Sequence, residues 1–460
     1  MWTPIFTGVH FFVEHIKYAS YNRALPLVDM QLRSNWFNLG KHGDFMIHGL
    51  FLINPFKGHM NPTYYLSDSL IKDGGKITYM STAEYKNHIE QLGAEFLLYP
   101  NDNGLFNWGK RDTRNKPMME FEILYANQKS LPTAYDDWIE LLLCALGKQE
   151  IDYIIYDYFD GLWGKMLAEK INVPAIAFIP SFAICRKFFN QSPVNYLRHY
   201  FNVNLEFYNK NEPLIKRVYD ALENISALQK YNIFEYGNSD YLNILCSSPE
   251  LQQHSDILDN RYLFIGASSA YSPLNDTTYI QDEPNPIIYI SLGTTNINSD
   301  SDFYRNCISE LSGSGYTVYI NIGKDLTEEE FSYGDNFHIA SYHNQIAILK
   351  KADVFVTHGG MNSVNESLLY GVPMILIPHQ GDQFSVAERV HLMGAGIAME
   401  NKDAKQIRNK IETIIQDRSY HECAALLSKG LHSPLYIDSI IKRIKSIVGS
   451  YRHLIQVQHE

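Results

Sequence analysis

The chain of 460 residues has few cysteines, and their placement excludes two common ways of stabilising a fold. The cysteines are odd in number, widely scattered and form no C-x-x-C pair: Cys144, Cys185, Cys246, Cys307 and Cys423. The pattern therefore predicts neither a disulfide framework nor a zinc site. We interpret the protein as reduced and cytoplasmic.

Long hydrophobic runs and an excess of positive charge are absent as well. No stretch of about 18 uncharged apolar residues occurs, so the sequence predicts no transmembrane helix and no stable membrane insertion. Lys and Arg number 39 against 51 Asp and Glu, which gives a net charge of −12. Such a charge argues against nucleic acid or an anionic membrane as the main partner.

What the chain has is the length and the pattern of a two-domain α/β protein. At 460 residues it is too long for one ordinary core, so two domains of about 200 residues are expected. Short apolar runs alternate with helical segments, a pattern typical of parallel sheets. The predicted strands are 49–54, 76–80, 94–99, 152–157, 174–179, 241–247, 287–290, 319–322, 337–342, 353–357 and 374–377, with one more near 261–265.

Two further expectations concern the ends of the domains. The strand 241–247 is expected to be the last of the first domain, so the strand near 261–265 would lie in the polar crossing to the second. After Gln383 the chain is predicted to be helical. Its basic, apolar-periodic end is expected to pack back on the first domain.

One stretch in the second half predicts a binding site. The strand 353–357 leads into a His-Gly-Gly turn at 358–360, and Asn362 or Ser363 is expected to open the next helix. Free N–H groups at a helix start favour an anion such as phosphate. Because ligands bind outside the carboxyl ends of parallel strands, this turn and the segment 379–383 are expected to line one pocket.

A histidine in the first half is expected at the equivalent edge of the first sheet. Residues 55–62 read as a loop, with Asn61 as the N-cap of the next helix and Pro62 in its first turn. This pattern places His59 on the loop. The strand 152–157 ends in Asp157 at the same edge.

Two of the acidic residues have alternative interpretations. Ser363 and Glu366 fit a capping box, in which Glu366 would only hold the start of its helix. Asp157 could be a helix N-cap or a turn residue at the end of its strand, and Asp160 is then the fallback partner for His59.

The stretch from 342 to 383 resembles the signature of the family 1 glycosyltransferases, the UDP-sugar-dependent group that includes plant secondary-metabolite and bacterial macrolide enzymes. That signature reads approximately W-x-P-Q, H-x-G-x-N-S-x-x-E, G-V-P and D-Q. Tyr342 stands here where the family has Trp, and Asn344 where it has Pro. The segment 58–62 is similar to the family's G-H-x-x-P. The residues that match the signature are Gln345, His358, Gly360, Asn362, Ser363, Glu366, Gly371, Val372, Pro373, Asp382 and Gln383.

The resemblance implies a catalytic pair and a donor site. His59 would be the catalytic base, and Asp157 would hydrogen-bond to it. The donor site would use Tyr342 to stack on uracil, Glu366 for the ribose, and Asp382 with Gln383 for the sugar hydroxyls. The diphosphate would lie against His358, Asn362, Ser363 and the loop Ser291, Gly293 and Thr294, with Gln345 and Gly360 in the same site.

The resemblance also implies the architecture. The fold class would be α/β of the GT-B type, with two Rossmann-like domains facing each other across a cleft. The expected divisions are an N-terminal extension of unknown role (1–45), an acceptor-binding domain (46–247), a linker (248–286), a nucleotide-sugar-binding domain (287–436) and a C-terminal helix that packs back on the first domain (437–460).

The function so implied is an inverting transferase that moves a hexose from a UDP-sugar to a small hydrophobic acceptor such as a macrolide, a flavonoid or another phenol. Asp382 and Gln383 favour glucose as the sugar. No D-x-D carboxylate pair occurs at the donor site, so no metal and no further cofactor are expected. Two alternatives are a nucleotide-sugar-binding protein without catalysis and a lipid-intermediate N-acetylglucosaminyltransferase.

Overall fold

The computed structural model describes most of the chain after Phe45. The described residues are 46–100, 131–184, 194, 197, 205–223, 237–275, 280, 283–293, 301–379 and 381–459. The predicted N-terminal extension, Thr294 and much of the aromatic segment 182–241 lie outside these ranges. Every strand predicted from the sequence is present, with ends shifted by a few residues.

The first half builds a sheet of seven parallel strands in the order β3-β2-β1-β4-β5-β6-β7. The strand β7 pairs with β6 at the edge of this sheet, so the expectation that the preceding strand would be the last of the sheet is wrong. The strands are β1 (His48–Leu52), β2 (Lys76–Ser81), β3 (Glu95–Leu98), β4 (Tyr153–Asp157), β5 (Ala175–Ile179), β6 (Asn243–Leu245) and β7 (Tyr262–Phe264).

Helices cover the two faces of this sheet and bury separate apolar clusters. Both central strands, β1 and β4, are buried along their whole length, as a parallel strand between two helix layers should be. The described helices of the first half are α1 (Lys57–Lys72), α2 (Lys86–Gln91), α3 (Leu131–Leu146), α4 (Gly161–Ile171) and α5 (Leu205–Glu223).

The start of α1 differs from the prediction. The helix begins at Lys57, because the carbonyl of Phe56 accepts hydrogen bonds from the N–H groups of His59 and Met60, both at 2.9 Å. Asn61 is therefore not the N-cap, and Pro62 lies inside the helix. His59 belongs to the first turn of α1 and not to a loop.

The second half builds a sheet of six parallel strands in the order β10-β9-β8-β11-β12-β13. The short strand β13 was not predicted, so the expectation of an all-helical chain after Gln383 is wrong. At Gly396 an added Cβ would lie 2.5 Å from the carbonyl oxygen of Met374, so glycine permits this pairing. The strands are β8 (Ile287–Ser291), β9 (Thr317–Asn321), β10 (Phe337–Ala340), β11 (Val354–Thr357), β12 (Met374–Leu376) and β13 (Gly396–Ala398).

The last helix leaves the second half and packs on the first sheet. Its residues Ile440, Ile444 and Val448 are buried in the same cluster as β1 residues. In the part of the chain that the structure describes, no helix is long and apolar enough to cross a membrane. The helices of the second half are α6 (Ser301–Leu311), α7 (Gln345–Leu349), α8 (Met361–Leu369), α9 (Gln383–Leu392), α10 (Ala404–Gln416), α11 (Ser419–Ser428) and α12 (Ile437–His459).

The two sheets share one topology, which determines where ligands should bind. In each sheet the strand order reverses direction at one point, between β1 and β4 in the first and between β8 and β11 in the second. Crevices at such points, outside the carboxyl ends of the strands, are the usual ligand sites of doubly wound sheets. His59 and Asp157 follow one reversal, and Gly293 and His358 follow the other.

Candidate active site

His59 and Asp157 form a hydrogen-bonded pair at the reversal point of the first sheet. The imidazole Nδ1 lies 2.6 Å from Oδ2 of Asp157, and the carboxylate is fully buried while the imidazole is 22% exposed. The other carboxylate oxygen, Oδ1, accepts from the N–H of Phe159 at 3.0 Å. Asp157 thus caps the 3₁₀ helix Tyr158–Asp160 and contacts His59, so both interpretations of this residue hold.

The surroundings of His59 favour its protonated form. Burial lowers the pKa of the imidazole, but the charge and hydrogen bond of Asp157 and the charge of Asp382 together raise it above the ordinary value of 6.5. Asp382 belongs to the second half of the chain. A carboxylate expected to bind the sugar is therefore within electrostatic range of the expected base.

His358 lies at the reversal point of the second sheet, between two glycines. An added Cβ would lie 2.5 Å from the His358 ring at either Gly293 or Gly360, so only glycine permits the ring to occupy this position. Burial lowers the pKa of His358 to about 4, although the charge of Asp382 opposes the shift. The imidazole is thus neutral at pH 7 and offers an N–H donor without a charge.

The helix α8 begins earlier than the sequence predicted. Its N-cap is Gly360 and its first residue is Met361, so neither Asn362 nor Ser363 opens the helix. Ser363 lies inside the first turn, and the capping-box interpretation of Glu366 is therefore wrong.

The Glu366 carboxylate is buried and makes hydrogen bonds to side chains from two other segments. Ser269 Oγ donates to Oε1 and Gln345 Nε2 donates to Oε2, each at 2.6 Å. Burial raises the pKa of Glu366, and these two hydrogen bonds oppose the shift. Both oxygens keep further lone pairs for a ligand hydroxyl.

The segment that holds Gln345 is organised by Asn344. The Asn344 side chain accepts from the N–H of Ala347 at 3.1 Å and so caps α7, whose first residue is Gln345. Asn344 therefore has a local structural role at the position where the family has proline. Tyr342, two residues before it, is 68% exposed. Ser291, at the end of β8, is buried.

Asp382 and Gln383 have different surroundings. Asp382 Oδ2 accepts from Ser181 Oγ at 2.6 Å, and Ser181 comes from the first half of the chain. Gln383 Oε1 accepts a hydrogen bond from the backbone N–H of His379 at 2.8 Å. Asp382 thus lies where groups from both halves meet.

A second hydrogen bond between the halves involves Asn362. Its Nδ2 donates to the backbone oxygen of Gly58 at 2.8 Å. The structure therefore brings together His59, Asp157, His358, Asn362 and Asp382, which the sequence placed on two separate sheets.

Two serines of this site were missed by sequence reasoning. Ser181 follows β5 at the carboxyl edge of the first sheet, so the edge rule that identified Asp157 could have found it. Ser269 lies in the 3₁₀ helix Ser268–Tyr271, within a polar segment where no spacing distinguishes it. Among the residues that the structure describes, no group of three or more His, Cys, Asp or Glu is arranged to hold a metal ion.

Comparisons with known proteins identify relatives of this chain. Residues 269–438 match the family described as UDP-glucoronosyl and UDP-glucosyl transferase. The NDP-glycosyltransferase YjiC of Bacillus licheniformis is 31% identical over 359 residues, which cover 76% of this chain and 84% of the relative. The uncharacterized UDP-glucosyltransferase YojK of Bacillus subtilis is 29% identical over 414 residues, which cover 87% of this chain and 98% of the relative.

A solved structure shares the fold. The crystal structure of the calicheamicin glycosyltransferase CalG4 superposes with a TM-score of 0.69 at 22% identity, covering 88% of this chain and 98% of that one. At this identity the similarity establishes the two-sheet architecture.

Proposed function

This chain belongs to the family 1 UDP-dependent glycosyltransferases and has their GT-B fold, and from that premise we propose that it transfers a hexose, with inversion, from a UDP-sugar to a hydroxyl of a small hydrophobic acceptor. The observation that carries the proposal is the His59–Asp157 pair, which lies within electrostatic range of Asp382 in the donor half.

His59 is placed to act as a general base. A proton on Nδ1 is held by Asp157, which leaves the Nε2 lone pair to accept a proton from the acceptor hydroxyl. The acceptor oxygen forms its bond to the anomeric carbon as the bond from that carbon to the UDP oxygen breaks. A single displacement of this kind inverts the configuration. General-base assistance contributes about 10² to 10⁴ in rate.

The leaving diphosphate is stabilised by donors from the second half. The neutral His358 imidazole and the free N–H groups at the start of α8 provide hydrogen bonds and a favourable dipole. We assign Asn362, Ser363, Ser291, Gly293 and Thr294 to the same subsite. These donors support departure of UDP without a metal ion or another cofactor.

The remaining donor contacts follow the exposure and partners of each side chain. We assign Tyr342 to the uracil, because its ring is largely exposed, and Glu366 to the ribose hydroxyls, with Gln345 holding its carboxylate. Asp382 and Gln383 are assigned to the sugar, and glucose is the proposed donor sugar. The name of the relative YojK, a UDP-glucosyltransferase, supports that choice.

The proposed acceptor is a small hydrophobic molecule with a hydroxyl, of the macrolide, flavonoid or phenol type. The name of the structural relative CalG4, a calicheamicin glycosyltransferase, supports an acceptor of small-molecule class. A cytoplasmic location is proposed because the thiols of Cys144, Cys246 and Cys423 form no disulfide bond.

The experiment that tests this function measures UDP release from UDP-glucose, with mass detection of the product, across a panel of macrolides, flavonoids and simple phenols. We expect a product heavier by one hexose with the wild type and none with His59→Ala. The variant should still bind UDP, because His59 lies outside the donor half. Measurable UDP binding without transfer to any acceptor or from any UDP-sugar would contradict the proposal and favour a binding protein.

A further inference from the structure

One hydrogen bond joins the helix that carries His59 to the helix at the donor site. Asn362, in the first turn of α8, donates from Nδ2 to the backbone oxygen of Gly58, and the two residues are 304 positions apart in the sequence. Gly58 immediately precedes His59 in the first turn of α1. The two helices also pack directly on each other. The contact therefore reaches within one residue of the expected base.

The Gly58 carbonyl is available for this bond because of Pro62. In an α-helix the carbonyl of residue i accepts from the N–H of residue i+4, so residue 62 would normally bond to Gly58. Residue 62 is a proline inside α1, and proline has no N–H to donate. The helix thus leaves one carbonyl open on the side where Asn362 lies, and the Asn362 amide occupies it.

We propose that Asn362 is a positioning residue for His59, acting across the cleft through the Gly58 carbonyl that Pro62 leaves open. The inference rests on the function proposed above and adds to the diphosphate contact assigned to Asn362. The bond holds the first turn of α1 against the start of α8. It thereby sets the distance between the His59 imidazole and a sugar whose diphosphate lies at that helix start.

The geometric requirement of the reaction gives this bond its importance. Reacting atoms must be held within a narrow range of distance and angle, and a displacement of about 1 Å lowers the rate by about 10²-fold. Asp157 holds the imidazole ring within its own half of the protein. The Asn362–Gly58 bond links that half to the start of α8 in the second half.

The variant Pro62→Ala tests the proposal without changing any side chain of the donor site. Alanine supplies the missing N–H, which bonds to Gly58 within the helix and competes with Asn362. We expect kcat to fall by about tenfold to hundredfold, while the KM for UDP-glucose and the Kd of UDP stay unchanged. Pro213→Ala is the matched control, because Pro213 is an exposed proline inside α5 and its replacement should leave kcat unchanged.

A double variant shows whether Pro62 and Asn362 act through the same bond. Asn362→Ala should lower kcat as well, and its loss of the diphosphate contact should raise the Kd of UDP. In Pro62→Ala/Asn362→Ala, kcat should be no lower than in Asn362→Ala alone, because both changes remove one interaction. Losses in kcat that multiply in the double variant, or an unchanged kcat in Pro62→Ala, would overturn the proposal. Failure of the proposed function is a separate result, since wild type would then transfer no hexose.

Discussion

Two histidines that both feel the charge of Asp382 have opposite acid–base behaviour, and the difference comes from their neighbours. His59 has a buried carboxylate at hydrogen-bond distance, which raises the pKa of the imidazole above 6.5 despite burial. His358 is enclosed by two glycines, and burial lowers its pKa to about 4. One imidazole is therefore suited to take up a proton and the other to donate a hydrogen bond while neutral.

The raised pKa of His59 predicts the pH dependence of transfer. The base must be deprotonated, so kcat/KM should rise with pH through the pKa of His59, with its midpoint above 6.5. Asp157→Asn removes the charge that raises this pKa, so the midpoint should move to lower pH. The plateau rate should also fall by about 10²-fold, because a neutral amide does not stabilise the imidazolium.

The measurement is kcat/KM for UDP-glucose from pH 5 to pH 9 in wild type and in Asp157→Asn. Asp152→Asn is a suitable control, since this partly exposed aspartate pairs with Arg452 on the last helix and not with His59. A midpoint that stays in place in Asp157→Asn would contradict the assignment of His59 as the base.

The hydrogen bond from Ser269 to Glu366 predicts a second effect, on donor binding. Ser269→Ala removes one of the two hydrogen bonds that oppose the raised pKa of Glu366, so that pKa should rise further. Ionised Glu366 is the better acceptor for the ribose, and a hydrogen bond to a charged group contributes about 1.5–3 kcal/mol. UDP affinity should thus fall by about tenfold or more, and the loss should grow as the pH is lowered.

Calorimetric titration of UDP at several pH values measures this effect, and comparison with wild type at each pH cancels the titration of the phosphate. Ser268→Ala is the control, because the neighbouring hydroxyl contacts Cys246 and not Glu366. Equal UDP affinities for Ser269→Ala and wild type would show that this bond has no role in donor binding.

The loop after β8 and the turn after β11 act as one unit, since each supplies a glycine against His358. Gly293 has a φ of +85°, in the left-handed region that favours glycine, and an added Cβ would meet the ring at 2.5 Å. The unit holds an imidazole where a diphosphate is expected, and larger side chains would displace it.

Gly293→Ala should therefore raise the Kd of UDP by about tenfold or more, through loss of a charge-assisted hydrogen bond from His358. Gly313→Ala provides the matched control. Gly313 also has a positive φ, +63°, but an added Cβ would meet nothing within 4 Å. Both variants should lose about 1 kcal/mol of stability from backbone strain, measured by thermal unfolding, and UDP binding should fall only in Gly293→Ala. Similar UDP affinities in the two variants would contradict the packing role of Gly293.

Across the whole molecule, the last helix ties the end of the chain to the first sheet. Besides its apolar contacts, α12 makes an ion pair between Lys445 and Asp73 at 2.5 Å and another between Arg452 and Asp152. Partly exposed ion pairs contribute at most about 1 kcal/mol each, so the buried isoleucines should dominate the attachment.

Ile440→Ala should lower the free energy of unfolding by about 2–5 kcal/mol, because Ile440 is fully buried against the first sheet. Urea denaturation with a probe in the first half measures this loss. Val457→Ala in the same helix is the control, since Val457 is 56% exposed and its truncation should change stability little. A loss in Ile440→Ala no larger than in Val457→Ala would mean that α12 does not stabilise the first half.

The segment 1–45 remains a proposed accessory extension. A chain that begins at Met46 should keep hexose transfer, because the resemblance to the family and both sheets lie after that point. Loss of transfer in this shorter chain, with UDP binding retained, would show that the segment contributes to the reaction.

The local pattern of the sequence was sufficient for the strands and for the edge on which the site lies. Short apolar runs of four to seven residues predicted every strand except β13, which has three residues. Since residues after such strands must lie at the carboxyl edge of a parallel sheet, His59, Asp157 and His358 could be assigned to the cleft before any contact was known.

The contacts between distant segments could not be inferred in this way. Whether α1 starts at Lys57 or Pro62 depends on which donors reach the carbonyl of Phe56, and the N-cap pattern of Asn61 was a weaker local preference. The hydrogen bonds from Ser269 to Glu366 and from Asn362 to Gly58 join residues that are 97 and 304 positions apart in the sequence. No sequence pattern identifies a serine hydroxyl or a backbone carbonyl as the partner in such a bond. The sequence by itself thus determined the strands and the chemical groups at the edges of the two sheets. The packing of one half against the other decided which of these groups meet, because such pairings depend on the three-dimensional arrangement and not on neighbouring residues in the sequence.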